Sequence, residues 1–415
     1  MQPWMSDVRS SIVKVKTELR RRIPDLKERF AAMSAWAERE VAAVAEERRR
    51  GNVVPELRYE ELAGGGVPAG VADRIRRRGC AIVRGVVSQA QAAAWNDGIG
   101  GYIERNDYVT KVQAKAGIDK YFASLGAGDP QIFQLYWSRP QVEARQSEAL
   151  ARTRAALNRI WKYEGSAGRA FDPDRECSYG DRLRRRGPGD TTLGLSPHAD
   201  GGSVERWCDP AYQNVYAEVL FGDPMKYDPF DGQHRVHTEA IASPAVCSVF
   251  RTYQGWTGLT RQGAGDGTLQ LVPIAGLMGW IVLRALQDDV PEDELCGAKP
   301  GAALALERRW HDLAWSAITS LPTVGPGDTV WWHNDLIHAV EPEHRGTLSS
   351  NVIYIAAAPW CEKNEAFLKR QLPAFQGGRS CPDFAPHDLE VDFEGRATIG
   401  DLTQLGRRQM GVEPW

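Results

Sequence analysis

Apolar residues near the start of the chain recur at helical spacing. Ile12, Val15 and Leu19, then Leu26, Phe30, Met33 and Trp36, fall three or four apart in a stretch otherwise rich in Ala, Glu, Arg and Lys. Pro24 removes a backbone donor between the two sets, so the spacing predicts two helices within residues 8–50. The pattern changes after residue 70. Val71–Arg78 reads as a helix, Cys80–Val87 as a short buried strand, and Ser88 as the N-cap of an Ala-rich helix. A further helical stretch is expected from about 130 to 160, carrying Trp137, Leu150, Leu157 and Trp161.

From about residue 176 short apolar runs alternate with Gly, Pro and Asp turns. Strands are expected at 190–196, 215–221, 246–253, 268–273, 328–333 and 350–357, the pattern of a sandwich or jelly-roll barrel. Tyr212–His237 reads as a polar-aromatic loop, and a helical insertion is expected over about 276–320. The fold class is therefore α+β. Residues 1–60 form a helical arm, 61–400 the main domain, and 401–415 a tail; the segment after 360 covers one end of the barrel.

Composition narrows the functional classes. The net charge of −3 argues against a general nucleic-acid binder, and the Arg runs at 48–50, 76–78 and 184–186 read as solvated surface. The seven cysteines are scattered without a CxxC, which disfavours a disulfide framework or a thiolate zinc site. No apolar run reaches the roughly 18 residues of a membrane span, and the N-terminus lacks a basic segment followed by an apolar one. A soluble protein of a reducing cytoplasm is expected, with a small molecule as partner rather than nucleic acid or membrane. The N-terminal helices are a candidate surface for a homo-oligomer.

The candidate chemistry lies in two segments. Gly194-Leu195-Ser196-Pro197-His198-Ala199-Asp200 contains a His-X-Asp pair. Residues i and i+2 of a strand share a face, so His198 and Asp200 can serve one metal. Gly201 and Gly202 then permit a sharp turn. The second segment, 327–338, turns at Gly327-Asp328 into an apolar strand and supplies His333 and His338. His338 is favoured as the third ligand, with His333 as a nearby wall. Two His and one carboxylate form the facial triad that holds non-haem Fe(II) and leaves positions open for co-substrate and oxygen. There is no G-x-S-x-G elbow, Walker loop or GxGxxG after a strand.

These motifs resemble those of the Fe(II)/2-oxoglutarate-dependent dioxygenases, above all the phytanoyl-CoA hydroxylase-like branch and, within it, the YbiU-type family. Gly79–Ser88 followed by an Ala-rich helix is similar to that branch's entry strand and helix. Gly267–Pro273 is similar to a strand ending in Pro, although Ile274-Ala275-Gly276 stands where Gly-Ser-His is usual. Gly327–His338 is the third match, and the likeness spans about residues 60–400.

The resemblance implies a double-stranded β-helix (jelly-roll, cupin-like) core and iron held by His198, Asp200 and His338. It also implies 2-oxoglutarate and O2 as co-substrates, with succinate and carbon dioxide released as a small molecule is hydroxylated, desaturated or cyclised. Asp200 fits those outcomes better than halogenation, which replaces this carboxylate with a small residue. A guanidinium beyond the second His would hold the far carboxylate of 2-oxoglutarate through parallel donors. Arg345 matches by position, seven residues past His338, closer than is usual; Arg251 is its rival, and Ser349 or Asn351 would assist.

Substrate-facing candidates flank the iron motif: Tyr179 and Arg182 before it, Glu205, Arg206 and Trp207 after it, with Tyr253 and Trp256 at the barrel mouth. Arg206 with Arg182 would suit a carboxylate-bearing or phosphorylated substrate. Two alternatives share the scaffold: a cupin-type isomerase or hydrolase that needs no 2-oxoglutarate, and a binding protein without turnover.

Overall fold

The computed structural model describes residues 6–114, 131–166, 168–191, 194–238 and 247–415. The two expected N-terminal helices are Val8–Arg22 and Leu26–Arg49, broken at Ile23-Pro24-Asp25. Their apolar faces are not left open. Ile12, Leu19, Met33, Ala37 and Val44 enter the same core as Trp207, Leu277 and Leu283. Lys16 is buried with them, its ammonium donating to the carbonyls of Val290, Pro291 and Glu294. Arg78 reaches back to Glu40 and Glu47 of the second helix.

Two antiparallel sheets position the site. The larger contains, in order, Glu56–Arg58, Cys80–Arg84, Thr329–His333, Tyr253–Gly258, Ser350–Ala357, Leu183–Arg186 and Ile132–Phe133; its first pair alone is parallel. The smaller runs Leu304–Ala305, His198–Ala199, His338–Val340, Leu269–Leu271 and Thr319–Ser320. The larger sheet is buried on both faces, which explains its nearly unbroken apolar runs. Cys80, Ile82, Val330, Trp332 and Val352 face one core. Ala81, Val83, Trp331, Ile353 and Ile355 face another, with Trp95, Ile99 and Leu157 of the flanking helices.

Several sequence expectations change. The apolar run at 215–221 is helical, within Pro210–Val215 and Ala217–Leu220. Tyr212, Tyr216, Val219 and Leu220 are the buried positions, and their spacing is that of a helix face. The strand expected at 190–196 falls partly outside the described residues, and strands occur instead at Leu183–Arg186 and His198–Ala199. The strand expected at 246–253, whose first residue lies outside the described ones, begins at Tyr253 and runs to Gly258. Within 130–160, Ile132–Phe133 is extended before helices Arg139–Arg145 and Glu148–Asn158. The 276–320 insertion is two short helices, Leu277–Arg284 and Arg308–Ser316, with strands at Leu304–Ala305 and Thr319–Ser320. No helix among the described residues is long and apolar enough to cross a membrane.

Candidate metal centre

His198 and Asp200 leave one edge of the smaller sheet, and His338 arrives beside them. His338 pairs directly with His198 across adjacent strands and with Leu271 on its other side. The approach depends on Gly194: a Cβ there would fall 2.2 Å from the Val340 carbonyl oxygen, so only glycine lets this segment lie against the His338 strand. After Asp200 the chain turns through Gly201 and Gly202, whose φ angles of 88° and 102° are those that favour glycine.

The three side chains converge. His198 Nε2 lies 3.6 Å from one Asp200 oxygen and His338 Nε2 lies 3.8 Å from the other. All three candidate ligand atoms fall within 4.8 Å of one another. Each imidazole is held by its other nitrogen, His198 Nδ1 at 2.6 Å from the Ser196 carbonyl and His338 Nδ1 at 3.0 Å from that of Leu336. With the proton on Nδ1, both Nε2 lone pairs point at the shared space, the tautomer a metal needs. Burial draws the His338 pKa down to about 4, so this ring is neutral near pH 7.

His333 takes no part. The two-residue period of its strand turns Trp332 towards the triad and His333 to the opposite face. There His333 stacks on Trp161 at 4.7 Å, Nε2 meets the Pro229 carbonyl, and Nδ1 accepts from the Asp335 amide.

A cavity of about 90 Å³ opens beside the triad between the two sheets. Tyr179, Arg182, Arg251 and Trp256 line it, as do Gln254, Gln262, Trp332 and Tyr354, and Arg184, which was expected at the solvated surface and is buried. Arg184 lies opposite Val352, and Tyr354 opposite Trp256. Burial draws the Arg184 pKa down to about 10. Gln262 accepts from Thr268 through its carbonyl oxygen, while its buried Nε2 has no partner among the described residues; nor have Gln254 Nε2 and Trp332 Nε1.

The remaining sequence candidates stand elsewhere. The Arg345 side chain is 78% exposed and paired with Glu343. Ser349 does not line the cavity, and the Asn351 side chain points to the other face of its strand, where it donates to the Asn96 side-chain carbonyl oxygen. Trp207 is core, its indole donating to the Val282 carbonyl. Glu205 is buried, accepting from the amides of Ser203 and Gly301. Arg206 is wholly buried and acts as a brace: it donates to the carbonyls of Asp200 and Gly202 and pairs with Asp335. Asp335 also pairs with Arg235, and these cations hold its carboxyl far below the usual range despite burial.

Over residues 6–412 the sequence matches the Gig2-like family. The chain belongs to the Gig2-like family. This Gig2-like chain is 41% identical over 411 residues to the YbiU protein of Escherichia coli (strain K12), covering 98% of the chain and 97% of that relative. Its fold superposes with a TM-score of 0.94 on the crystal structure of the "Putative Oxidoreductase from Salmonella typhimurium LT2", 41% identical, covering 98% of this chain and 97% of the other. It is also similar to GIG2 (DUF1479) of Candida albicans, with a TM-score of 0.77 at 24% identity over 97% of this chain and 89% of that one.

Proposed function

We propose that this Gig2-like protein is a non-haem Fe(II)- and 2-oxoglutarate-dependent oxygenase of a small molecule. The observation that carries the reading is the convergence of His198, Asp200 and His338 at the edge of a cationic cavity. The donor set suits Fe(II): two imidazoles and a carboxylate bind borderline metals and leave other positions free. The oxidoreductase name carried by the Salmonella relative agrees with it.

Strand order supports a double-stranded β-helix. Leu183–Arg186, Tyr253–Gly258, Thr329–His333 and Ser350–Ala357 lie in one sheet; His198–Ala199, Leu269–Leu271, Thr319–Ser320 and His338–Val340 lie in the other. Along the chain, successive strands alternate between the sheets except at the Leu271–Thr319 connection, the winding of a jelly roll.

His198, Asp200 and His338 would hold iron. Arg184, at the level of Val352, and the free Nε2 of Gln262 would take the far carboxylate of 2-oxoglutarate. Bound together, iron and 2-oxoglutarate supply oxygen activation with release of succinate and carbon dioxide. The protein's own part is to orient and to exclude water. The Ser196 and Leu336 carbonyls fix the imidazoles, Arg206 fixes the Asp200 backbone, and Trp256, Trp332 and Tyr354 wall the cavity.

The test is an anaerobic titration of Fe(II) into metal-free protein with 2-oxoglutarate, following the visible charge-transfer band of the chelate. A band in the native protein that His198→Ala abolishes is expected. A folded, iron-binding protein that shows no band would overturn the 2-oxoglutarate assignment.

A further inference from the structure

A second compartment adjoins the triad on the far side of Asp200. It has about 60 Å³ of space and is lined by Gly201, Tyr212, Arg235, Thr238, Asn334 and Lys363, among others. Asp200, Cys247 and Arg251 line both this compartment and the first cavity.

Its chemistry is cationic and incompletely satisfied. Arg251 is 7% exposed, and among the described residues no carboxylate lies within ion-pair distance of it. Its guanidinium rests over the Tyr179 ring at 5.8 Å. Asp200 and Asp181 act on it only from beyond contact distance, so a ligand that brings an anion against this buried guanidinium supplies the close charge the fold leaves out. Lys363 stands at the same compartment, donating to the Thr238 carbonyl at 2.6 Å and leaving other donors of the ammonium for a ligand. Arg235 and Arg206 share the single carboxylate of Asp335, so that triad adds a further net positive charge.

One acceptor accompanies these donors. Asn334 gives its amide N–H to the Arg251 carbonyl, which fixes the amide's orientation; its buried Oδ1 has no partner among the described residues. An oxyanion facing Arg251 and Lys363 would thus have beside it a site for a hydroxyl or amine hydrogen.

We propose that this compartment binds the substrate, and that the substrate is a small molecule bearing a carboxylate or phosphate next to a hydroxyl or amine. Calling the ligand a substrate rests on the oxygenase reading; the anion site does not. The two cavities divide the anions between them, Arg184 taking the co-substrate and Arg251 with Lys363 the substrate, on either side of the metal ligands.

The test uses metal-free protein, so its failure is separable from a failure of the iron and 2-oxoglutarate titration. Calorimetric titrations use lactate, inorganic phosphate and the neutral propane-1,2-diol. At least one anion is expected to bind one-to-one and the diol not at all. Lactate binding better than phosphate would assign a carboxylate, and the reverse a phosphate. Affinity should fall about tenfold or more in Arg251→Gln and Lys363→Met, as loss of a charge-assisted hydrogen bond demands, and persist in Arg184→Gln. Lys363→Met lies at the compartment's more exposed side and serves if Arg251→Gln does not fold. No anion binding, or binding lost in Arg184→Gln and kept in the other variants, would overturn the proposal.

Discussion

His198 and His338 face each other across one antiparallel pair, their ring centroids 4.3 Å apart and their planes tilted by 51°. Two imidazoles that close, each fixed through Nδ1, are arranged before any ligand arrives. A metal ion should therefore bind the folded chain and stabilise it by linkage, about 2.7 kcal/mol at a hundredfold excess over Kd. Thermal unfolding with Fe(II), or with Co(II) as an air-stable probe, is expected to show a raised midpoint that a chelator reverses. His198→Ala and Asp200→Ala should each abolish the shift. A shift that survives both would place the metal elsewhere.

Asp335 offers a test of support at one remove. It binds no metal in this reading, yet it pairs with both Arg206, which holds the Asp200 carbonyl, and Arg235. Asp335→Ala leaves two buried guanidiniums without their carboxylate, a loss of ~3–5 kcal/mol. Urea unfolding should show it, and the variant should also take up metal more weakly. Native stability in Asp335→Ala would remove the brace from the account.

The residues that could be found in the sequence are those whose role follows from local period. His198 and Asp200 are two apart at a strand end, so they share a face whatever the surrounding fold. The same period separates Trp332 from His333, and it sends His333 to Trp161 on the other face. Arg184 was hidden because the run Leu183–Arg186 looks like solvated surface. In fact the Leu183, Arg184 and Arg186 positions are buried, and Arg186 is spent on Asp190 and on the carbonyls of Gly267, Glu341 and Pro342. The signal available was a three-Arg run directly ahead of the His-X-Asp strand. Glu205, Arg206 and Trp207 mislead in the opposite way, being near the motif in sequence but turned into the core by the helix that starts at Glu205.

The division between Arg184 and Arg345 gives a direct comparison. Arg345 is a solvent-facing partner of Glu343, and such pairs contribute about 0–1 kcal/mol. Arg345→Ala should leave both stability and the 2-oxoglutarate band unchanged. Arg184→Gln should weaken 2-oxoglutarate strongly while iron uptake persists. A band lost in Arg345→Ala and kept in Arg184→Gln would reverse the assignment.

Stability of the metal-free protein should rise with pH below neutrality. Burial, the largest influence on each, lowers His311 and His338 to about 4 and His333 to about 3, from 6.5 in the unfolded chain. Between about pH 4.5 and 6.5 the unfolded chain therefore binds up to three histidine protons that the folded one does not, most nearly all three in the middle of that window. Glu390 acts in the other direction: burial raises it from 4.5 to about 7, so the folded chain holds one proton the unfolded chain has lost. Glu176, likewise raised by burial, works with Glu390 against the histidines. The remaining excess of protons on the unfolded chain makes stability climb with pH over this window, by ~1.4 kcal/mol per pH unit for each net proton. Denaturant midpoints at several pH values check the slope, and a flat profile from pH 4.5 to 6.5 would show that these histidines are not buried as described.

The N-terminal helices supply the last test, because their apolar faces cover the core next to the metal-site loop. Met33 packs against Gly279, where an added Cβ would lie 3.2 Å from the Met33 methyl, and Trp36 lies over Gly276, 3.0 Å from a Cβ placed there. Phe30 stacks on Trp280 at 6.1 Å. The helix these residues cover, Leu277–Arg284, in turn accepts the Trp207 indole at Val282, one residue from Arg206 and its contact with Asp200. Removing residues 6–50 would expose this apolar surface and loosen the Asp200 loop through that chain of contacts. The truncated protein is expected to aggregate or to unfold without a cooperative transition. Should it instead unfold cooperatively and retain a metal-dependent shift, the helices would be an appendage to a self-sufficient domain, and their role would have to be sought in contacts with other molecules.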